Sequence, residues 1–551
     1  MSLAPIAEKI KPTLAFILAW AFLNVLMNIK YPAQQLHMLT LFKISPEVLG
    51  IIMIPLAAAW MGLPFHPALY LPLTAFLIFL RFFRIGDILV PMYFFRPFNL
   101  YLDAQFIPDL IHLLYTTFSL KTFIFAAILA VILLAGLSWG VWLSFKTIHN
   151  FLAYHRNRRV ILVLITVGLM ALSYLPVGIA RLPGEFLAKG FFQRVVAEFN
   201  FILHVKGHRA RQLGVIESAV EAGGQIPSSL DKLHGADVFI FFVESYGHTI
   251  FADNRHFSKI KPVLDDIEGN LEDRGFLVCS TFFQSPTYGG TSWLAHGTLA
   301  GGVKLDSHMH YNLMITSQAK TIARFFNEAG YRTISATPGT QWPWPQGAFF
   351  GYQKKYYAWN FDYKGPMYGW STMPDQYVLD YIYRHEIQNR TQPLFIEFIL
   401  VTSHAPFHRQ PPYLKDWPSL GTGEIYHQVQ AVAFPIVWPD LSNASEGYVT
   451  AIKYELDVIS DFIMRYLDDN ALIIVLGDHQ PNVQITGKKQ PWSVPVHVIS
   501  RKNELLEPFR KRGYSPGLIP TQPPPHRGME TFLYDFLADF STAERLTKDD
   551  L

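Results

Sequence analysis

The chain contains a single cysteine, Cys279, among its 551 residues. One cysteine cannot form an intrachain disulfide, which excludes both a disulfide scaffold and a zinc site built from several cysteines. Charged residues are also scarce, at 16% of the chain, whereas an average soluble protein has about 25%. This low charge and a hydrophobic content of 50% exclude a disordered protein and indicate a part embedded in a membrane.

An excess of charge of one sign is absent as well. The sequence has 46 basic and 43 acidic residues, which give a formal net charge of +3. Nucleic-acid-binding proteins usually carry a clustered basic excess. The composition therefore gives no support for a nucleic-acid partner.

Long apolar runs are concentrated in the first third of the chain. A helix needs roughly 20 apolar residues to cross a bilayer, and three of the five runs meet that length. The second and third runs are shorter and contain prolines, so they either span with flanking residues or form a hairpin that dips into the membrane. We predict an α-helical transmembrane anchor of about five helices over residues 1–181, with buried helices of a soluble core as the alternative. The five runs cover residues 14–29, 49–63, 68–80, 123–143 and 160–180.

The orientation of this anchor follows from the basic residues in its short loops. Lysines and arginines are retained on the cytoplasmic side of bacterial membranes. They precede the first run and separate the fourth from the fifth, so either five or three spans place everything after Ala180 outside the cytoplasm. We therefore predict a multi-pass protein of the bacterial inner membrane. The residues are Lys9, Lys11, Lys146, Arg156, Arg158 and Arg159.

Residues 182–234 have the pattern of a connector. Between 186 and 201 phenylalanines and valines alternate with Lys189, Arg194 and Glu198. An amphipathic helix on the membrane surface has this pattern. A helix packed on the following domain has it too, and the pattern does not separate the two.

From residue 235 to 551 short apolar runs alternate with helical stretches. This alternation is typical of an α/β domain with a mostly parallel central sheet flanked by helices. About 315 residues fit one large extracytoplasmic domain. The predicted strands are 238–243, 333–336, 394–401, 471–476 and 494–499, and the predicted helices are 317–329, 374–388, 445–467 and 529–540.

Three of the predicted strands run into polar clusters. Glu244 follows the first, His404 the third, and Asp478 and His479 the fourth. In open α/β sheets, functional sites gather at the carboxyl ends of strands, so these four side chains are expected to meet. Carboxylates and imidazole suit a divalent ion such as Zn²⁺ or Mn²⁺. The alternative for each acidic residue alone is a helix cap or an ordinary loop position.

A glycine-containing loop supplies a hydroxyl. Gly289 and Gly290 permit a tight backbone path, after which Thr291 and Ser292 open a predicted helix. A hydroxyl at a helix N-terminus lies beside free amide groups and, next to a cation, becomes a nucleophile. The alternative is a simple N-cap. His296, five residues after Thr291, is a further candidate to line the site.

Four motifs in this order resemble the alkaline phosphatase/sulfatase superfamily. They are Val-Glu-Ser-Tyr at 243–246, Gly-Thr-Ser at 290–292, Ser-His-Ala-Pro-Phe at 403–407 and Leu-Gly-Asp-His at 476–479. Together with the predicted anchor, the chain most resembles the membrane-anchored lipoteichoic acid synthase-like phosphoglycerol transferases. The resemblance implies a sulfatase-like catalytic domain outside the cytoplasm.

The resemblance also implies roles for individual residues. A single Mn²⁺ or Zn²⁺ ion would be held by Glu244, Thr291, Asp478 and His479. Thr291 would be the nucleophile, and His404 would bind the phosphate or protonate the leaving group.

Two departures from the motifs of the family bear on the class of substrate. Cys279 lies outside a C/S-x-P-x-R motif, which argues against sulfate-ester hydrolysis. Trp344 matches the tryptophan of the phosphoglycerol transferases' Trp-x-Arg motif, but Gln346 replaces its arginine. Together with His404 and His296 from above, Trp344 and Gln346 are the predicted substrate-binding residues.

The predicted reaction transfers a phospho-alcohol head group, phosphoglycerol or a similar group, from a membrane phospholipid to a glycan or lipid hydroxyl acceptor. It would proceed through a phospho-threonine intermediate. One alternative is a metal-dependent phosphodiesterase of the same superfamily, in which water replaces the acceptor. Another alternative is a non-catalytic, lipid-sensing membrane protein with the same fold. The presence of all four implied metal ligands argues against it.

Overall fold

The computed structural model describes residues 4–29, 41, 43–108, 111, 115, 119–155, 159–173, 188, 190–368, 372–434, 442–487 and 490–542. The chain divides into two compact units, Met1–Val205 and Lys206–Leu551.

The N-terminal unit consists of helices. Each of the five predicted apolar runs lies largely in one of them, although residues 61–63 of the second run follow its helix and residues 174–180 of the fifth run are outside the described residues. Two described helices are long and apolar enough to cross a membrane, through the segments Lys11–Asn28 and Leu120–Tyr154. The helices are Ala4–Asn28, Pro46–Trp60, Pro67–Phe94, Leu100–Asp103, Leu120–Tyr154, Arg159–Ser173 and Phe192–Leu203, with a 3₁₀ turn at Ala104–Phe106.

In this unit, apolar side chains are buried where helices pack against one another and are exposed elsewhere. The Leu120–Tyr154 helix buries Val141, Phe145 and Ile148 against its neighbours, while Ile132 and Leu133 on the same helix are about 60% exposed. Exposed leucine and isoleucine on a long helix are the pattern expected where the surrounding medium is lipid. The shorter apolar run 68–80 belongs to a helix of 28 residues, Pro67–Phe94, about 42 Å long at 1.5 Å per residue.

The helix Phe192–Leu203 packs one face on the N-terminal unit. Val195 lies in that unit's core, and a Glu198 carboxylate oxygen accepts a hydrogen bond of 2.9 Å from the Leu100 amide. The opposite face carries an exposed apolar stripe of Phe192, Val196, Phe199 and Leu203. Within the predicted connector, this helix is therefore apolar on two faces.

The C-terminal unit is built on a nine-stranded mixed sheet. The strands are β1 (Asp237–Val243), β2 (Leu277–Gln284), β3 (Arg332–Thr337), β4 (Lys354–Tyr357), β5 (Leu394–Leu400), β6 (Arg409–Gln410), β7 (Val432–Ala433), β8 (Ala471–Gly477), β9 (Ser493–Ser500), β10 (Ser515–Pro516) and β11 (Arg527–Gly528). The main order is β10-β2-β9-β8-β1-β5-β3-β4, with β11 beside β2, while β6 and β7 form a separate pair. The five strands from β8 to β4 are parallel, and β9 is antiparallel to both β8 and β2.

This architecture confirms the predicted α/β domain with a mostly parallel sheet. All five predicted strands are present within one residue or so of their predicted ends. Six strands were not predicted: β2, whose polar Ser280 and Thr281 interrupt the apolar pattern, the four-residue β4, and the two-residue strands β6, β7, β10 and β11. The predicted helix 317–329 is shorter, Ile322–Glu328, because Thr321 is in an extended conformation.

Helices cover both faces of the sheet. Alternate residues of a strand point to opposite faces, so Phe241 stacks on Phe398 on one side, with ring centroids 4.7 Å apart, while Phe395 stacks on Phe326 on the other at 4.1 Å. The helices of eight or more residues are Val205–Gly223, Asn254–Asp273, Ser292–Gly301, Asp375–Ile382, Ser442–Tyr466, Asn503–Lys511 and Phe532–Phe540. Shorter ones are Thr249–Ala252, His308–Met314, Ile322–Glu328 and Val483–Thr486.

Candidate metal centre

The two central strands deliver the acidic residues to one point. β1 and β8 are parallel neighbours whose ends pair Val243 with Gly477, so Glu244 and Asp478 leave the sheet side by side. A Cβ atom on Gly477 would lie 1.8 Å from the backbone carbonyl oxygen of Tyr246. Only glycine permits this close approach of the two strand ends.

Glu244, Asp478 and His479 form a compact trio. One potential ligand atom from each lies within 4.8 Å of the other two. The Nε2 atom of His479 is 3.3 Å from Oε1 of Glu244 and 3.7 Å from Oδ2 of Asp478. All three residues are at most 5% exposed. Glu244, Asp478 and His479 therefore lie together, as the sequence predicted.

Hydrogen bonds orient the trio. Nδ1 of His479 is 2.7 Å from the Gln480 carbonyl oxygen, so Nδ1 donates this hydrogen bond and Nε2 is turned toward the carboxylates. Oδ1 of Asp478 accepts from the amides of Ser245 and His479, at 2.8 and 2.6 Å. Oδ2 is left facing the centre. The Ser245 hydroxyl donates to Oε1 of Glu244 at 2.9 Å.

The electrostatics favour a cation. Burial, reinforced by the neighbouring Glu244 charge, raises the pKa of Asp478 to about 8. Burial alone would lower the pKa of His479, but the charges of Asp478 and Glu244 outweigh it and raise that pKa to about 9. With both carboxylates ionised, the trio would carry excess negative charge, which a divalent ion would neutralise. Hard oxygen donors with one imidazole suit such an ion.

The helix Ser292–Gly301 brings hydroxyls to the trio. The Ser292 hydroxyl donates to Oε2 of Glu244 at 2.8 Å and lies 3.1 Å from Nε2 of His479. Thr291, with φ of 62°, precedes the helix in a left-handed conformation. Its hydroxyl donates to the Gly290 carbonyl at 2.6 Å and is hydrogen-bonded to the Thr287 hydroxyl. The direct contact of Ser292 with Glu244 was not among the sequence predictions.

β5 supplies the third cluster, on the other side of β1. The Ser403 hydroxyl donates to the backbone carbonyl of Glu244 at 2.7 Å, which ties the two strand ends together. His404 is half-buried, and its Nδ1 is 2.6 Å from the Ala405 carbonyl oxygen. The imidazoles of His479 and His404 outweigh the burial of Glu244 and hold the pKa of that carboxyl well below its usual range.

The other predicted substrate-binding residues lie in two places. Nε2 of His296 is 4.0 Å from Oδ2 of Asp478, so His296 reaches the trio. Burial lowers the pKa of His296 to about 4. Trp344 and Gln346 lie on the loop after β3, where Trp344 packs on Phe350 with ring centroids 5.4 Å apart and Gln346 is exposed.

A second buried acidic pair supports the His404 loop and was missed by the sequence analysis. Oδ2 of Asp375 accepts hydrogen bonds from the amides of Val401 and Thr402, at 2.7 and 2.5 Å. Burial, together with the charge of Asp375, raises the pKa of the neighbouring Glu455 well above its usual value. The two acids are 80 residues apart in sequence, and no local pattern marks them as partners.

Comparison with known proteins gives the class of this domain. Residues 306–516, which include His404, Asp478 and His479, match the family model described as Sulfatase. The C-terminal unit is therefore sulfatase-like, and the match supports the superfamily that the motifs predicted.

Several solved structures are similar to this chain. The lipoteichoic acid synthase LtaP from Listeria monocytogenes is 16% identical with a TM-score of 0.36, over 56% of this chain and 75% of that one. The phosphoglycerol transferase GacH from Streptococcus pyogenes is 13% identical with a TM-score of 0.34, over 59% and 92%. The C-terminal periplasmic domain of EcEptC from Escherichia coli is 14% identical with a TM-score of 0.33, over 52% and 75%. No curated protein matches the chain.

Proposed function

We propose that this protein is a membrane-anchored, metal-dependent phosphotransferase. It would move a phospho-alcohol head group, phosphoglycerol or a similar group, from a membrane phospholipid to a hydroxyl acceptor on a glycan or a lipid. The observation that carries the proposal is the buried trio of Glu244, Asp478 and His479 beside the hydroxyls that open the helix Ser292–Gly301.

The donor set fits one divalent ion, Mn²⁺ or Zn²⁺. Glu244, Asp478 and His479 would hold it, and the hydroxyl of Thr291 is the fourth ligand implied by the motif. When bound, such an ion neutralises phosphate charge and lowers the pKa of an adjacent hydroxyl. Asp478 and His479 already have the required orientation, since their other polar atoms are bonded to the backbone.

Two displacements at phosphorus complete the proposed reaction. In the first, the Thr291 oxygen, its proton already lost to solvent, bonds to phosphorus and the bond from phosphorus to the diacylglycerol oxygen breaks, with His404 giving that oxygen a proton. In the second, the acceptor hydroxyl bonds to phosphorus, its proton returns to His404, and the bond to Thr291 breaks. The free amides at the start of the helix Ser292–Gly301 would stabilise the phosphate charge.

The N-terminal unit would place the proposed reaction at the membrane surface. Its apolar helices would anchor the chain in the bacterial inner membrane, with the C-terminal unit outside the cytoplasm. Anchoring raises the effective concentration of phospholipid head groups at the site. Diacylglycerol, the leaving group, would remain in the bilayer.

Mass spectrometry of the full-length protein in detergent tests the proposal. With Mn²⁺ or Zn²⁺ and mixed bacterial phospholipids, we expect a head-group adduct on the peptide that contains Thr291, and its mass identifies the donor. The variant Glu244→Gln and a chelator-treated sample should show none. An adduct that an added acceptor removes indicates a transferase. Release of the head group to water alone favours the phosphodiesterase, and a protein that binds no metal and forms no adduct contradicts the proposal.

A further inference from the structure

The residues that lead into His404 form a tight turn directly after β5. The His404 amide donates to the Val401 carbonyl oxygen at 3.1 Å, which closes a turn of four residues. The Ser403 hydroxyl ties one side of this turn to the backbone carbonyl of Glu244. The position of His404 therefore depends on what holds the rest of the turn.

Asp375 holds the other side of the turn. Its Oδ2 atom accepts hydrogen bonds from the amides of Val401 and Thr402, at 2.7 and 2.5 Å. In return, the Asp375 amide donates to the Thr402 hydroxyl at 3.0 Å. Because Asp375 is the first residue of the helix Asp375–Ile382, these bonds fasten the turn to a helix. Loss of the Asp375 carboxylate would free the backbone that leads into His404.

The partner of Asp375 is Glu455 on the helix Ser442–Tyr466, and both acids are fully buried. Oδ1 of Asp375 and both carboxyl oxygens of Glu455 have no hydrogen-bond partner among the described residues. Burial of polar atoms without partners is costly, and an apolar pair of similar size would avoid the cost. Stability of the fold therefore does not explain this pair, whereas the contacts of Asp375 with the turn do.

Glu455 helps Asp375 to act as a charged acceptor. Burial and the charge of Asp375 raise the pKa of Glu455 well above its usual value. A protonated Glu455 leaves Asp375 as the ionised member of the pair, and a charged acceptor makes stronger hydrogen bonds to amides than a neutral one.

We propose that Asp375 is a positioning residue that places His404 for proton transfer. The inference rests on the proposed function, in which His404 gives a proton to the diacylglycerol oxygen as the bond from that oxygen to phosphorus breaks. Such a transfer needs hydrogen-bond reach, about 2.6–3.2 Å between heavy atoms. A small displacement of the turn therefore slows the departure of a leaving group that needs a proton and spares one that does not.

Single-turnover release of two leaving groups from the full-length protein in detergent tests this assignment. Mixed bacterial phospholipids release diacylglycerol, an alcohol that needs the proton, whereas bis(4-nitrophenyl) phosphate releases nitrophenolate, a weak base that leaves without one. We expect Asp375→Ala to slow diacylglycerol release by about 10- to 100-fold and to change nitrophenolate release little. Partial unfolding would lower both releases equally, so their ratio reports on the proton transfer.

Three further variants complete the comparison. Asp375→Asn keeps an oxygen that accepts from both amides and should restore most of the diacylglycerol release. His404→Gln should show the same selective loss, and combining it with Asp375→Ala should add little, because both act on one step. The matched control Asp380→Ala removes another buried carboxylate of the same helix, one bonded to Arg384 instead of the turn, and should leave the ratio unchanged.

Failure of this inference can be told apart from failure of the proposed function. If His404→Gln is selective but Asp375→Ala slows both releases equally, or slows neither, the positioning role is wrong and the proposed function stands. If His404→Gln keeps diacylglycerol release, or the wild type releases none, the proposed role of His404 fails and this inference fails with it.

Two alternatives keep the test decisive. If the wild type does not accept the nitrophenyl ester, the double variant decides on diacylglycerol release alone, and additive losses overturn the positioning role. Should Asp375→Ala not fold, Thr402→Val removes only the acceptor of the Asp375 amide. A smaller loss confined to diacylglycerol release then supports the role, and an equal or absent loss overturns it.

Discussion

The hydroxyl of Ser292 lies 2.8 Å from a carboxylate oxygen of Glu244, although the two residues are 48 positions apart. Ser292 begins a helix, and Glu244 directly follows the central strand β1. Their contact joins the hydroxyl-bearing loop to the acidic trio. The roles of Thr291 and Ser292 can therefore be tested separately.

Replacing these two hydroxyls should have unequal effects. Thr291→Ala removes the proposed nucleophile, so turnover should fall by at least about 1000-fold. Ser292→Ala removes the contacts of this hydroxyl to Glu244 and His479, and misplacement of those two side chains should lower turnover by about 10- to 100-fold. The measurement is head-group release from phospholipid by the purified variants, with adduct mapping by mass spectrometry. A head-group adduct on Ser292, with Thr291→Ala still active, would reverse the two assignments.

Glu397 in β5 should make stability depend on pH. Burial raises the pKa of Glu397 to about 7, although the Tyr352 hydroxyl donates to it at 2.8 Å. Since its pKa is lower in the unfolded chain, about 4.3, the folded state should lose stability as pH rises from about 4.5 to 7. Glu397→Gln removes this loss and should raise the free energy of unfolding at pH 8 by about 1–3 kcal/mol.

Denaturant unfolding of the wild type and Glu397→Gln at pH 5 and pH 8 measures that effect. The variant should gain at pH 8 and change little at pH 5. An equal effect of the substitution at both pH values would show that ionisation of Glu397 is not the cause.

In the buried pair of Asp375 and Glu455, Asp375→Ala should lower stability much more than Glu455→Gln. Asp375→Ala leaves the amides of Val401 and Thr402 without their acceptor, so it should destabilise the protein by about 2–3 kcal/mol. Burial and the charge of Asp375 raise the pKa of Glu455 well above its usual value, so a neutral amide in Glu455→Gln should replace the protonated carboxyl at a cost below about 1 kcal/mol. Thermal unfolding compares the two; equal losses would contradict a protonated Glu455.

Gly477 and Gly269 form a matched pair of glycine positions. Gly477→Ala places a methyl group 1.8 Å from the Tyr246 carbonyl oxygen and should destabilise by about 3 kcal/mol or more. Gly269 lies exposed in the helix Asn254–Asp273 with nothing within 4 Å of an added Cβ atom. Gly269→Ala should therefore stabilise by about 0.5–1 kcal/mol. Denaturant unfolding of both variants, with metal titration of Gly477→Ala, measures the predicted opposite signs.

Much of the sheet could be predicted because its central strands are apolar on both faces. A run such as Val238–Val243 is short, rich in phenylalanine and followed by polar residues, which is the pattern of a buried parallel strand. The strand β2 lacks that pattern, because Ser280 bonds to His497 and to a backbone carbonyl inside the fold. Its polar side chains are satisfied by partners more than 200 residues away, which no local pattern reveals.

The sequence by itself determined the residue types of the centre and the strand ends that carry them. Parallel strands bring their carboxyl ends to one edge, so Glu244, Asp478 and His479 could be placed together from order alone. Tertiary structure decided which hydroxyl contacts Glu244 and how far His296 lies from Asp478. Those distances depend on the left-handed turn at Thr291 and on the packing of its helix against Phe242. Both arise from contacts between segments far apart in the chain, which sequence spacing does not encode.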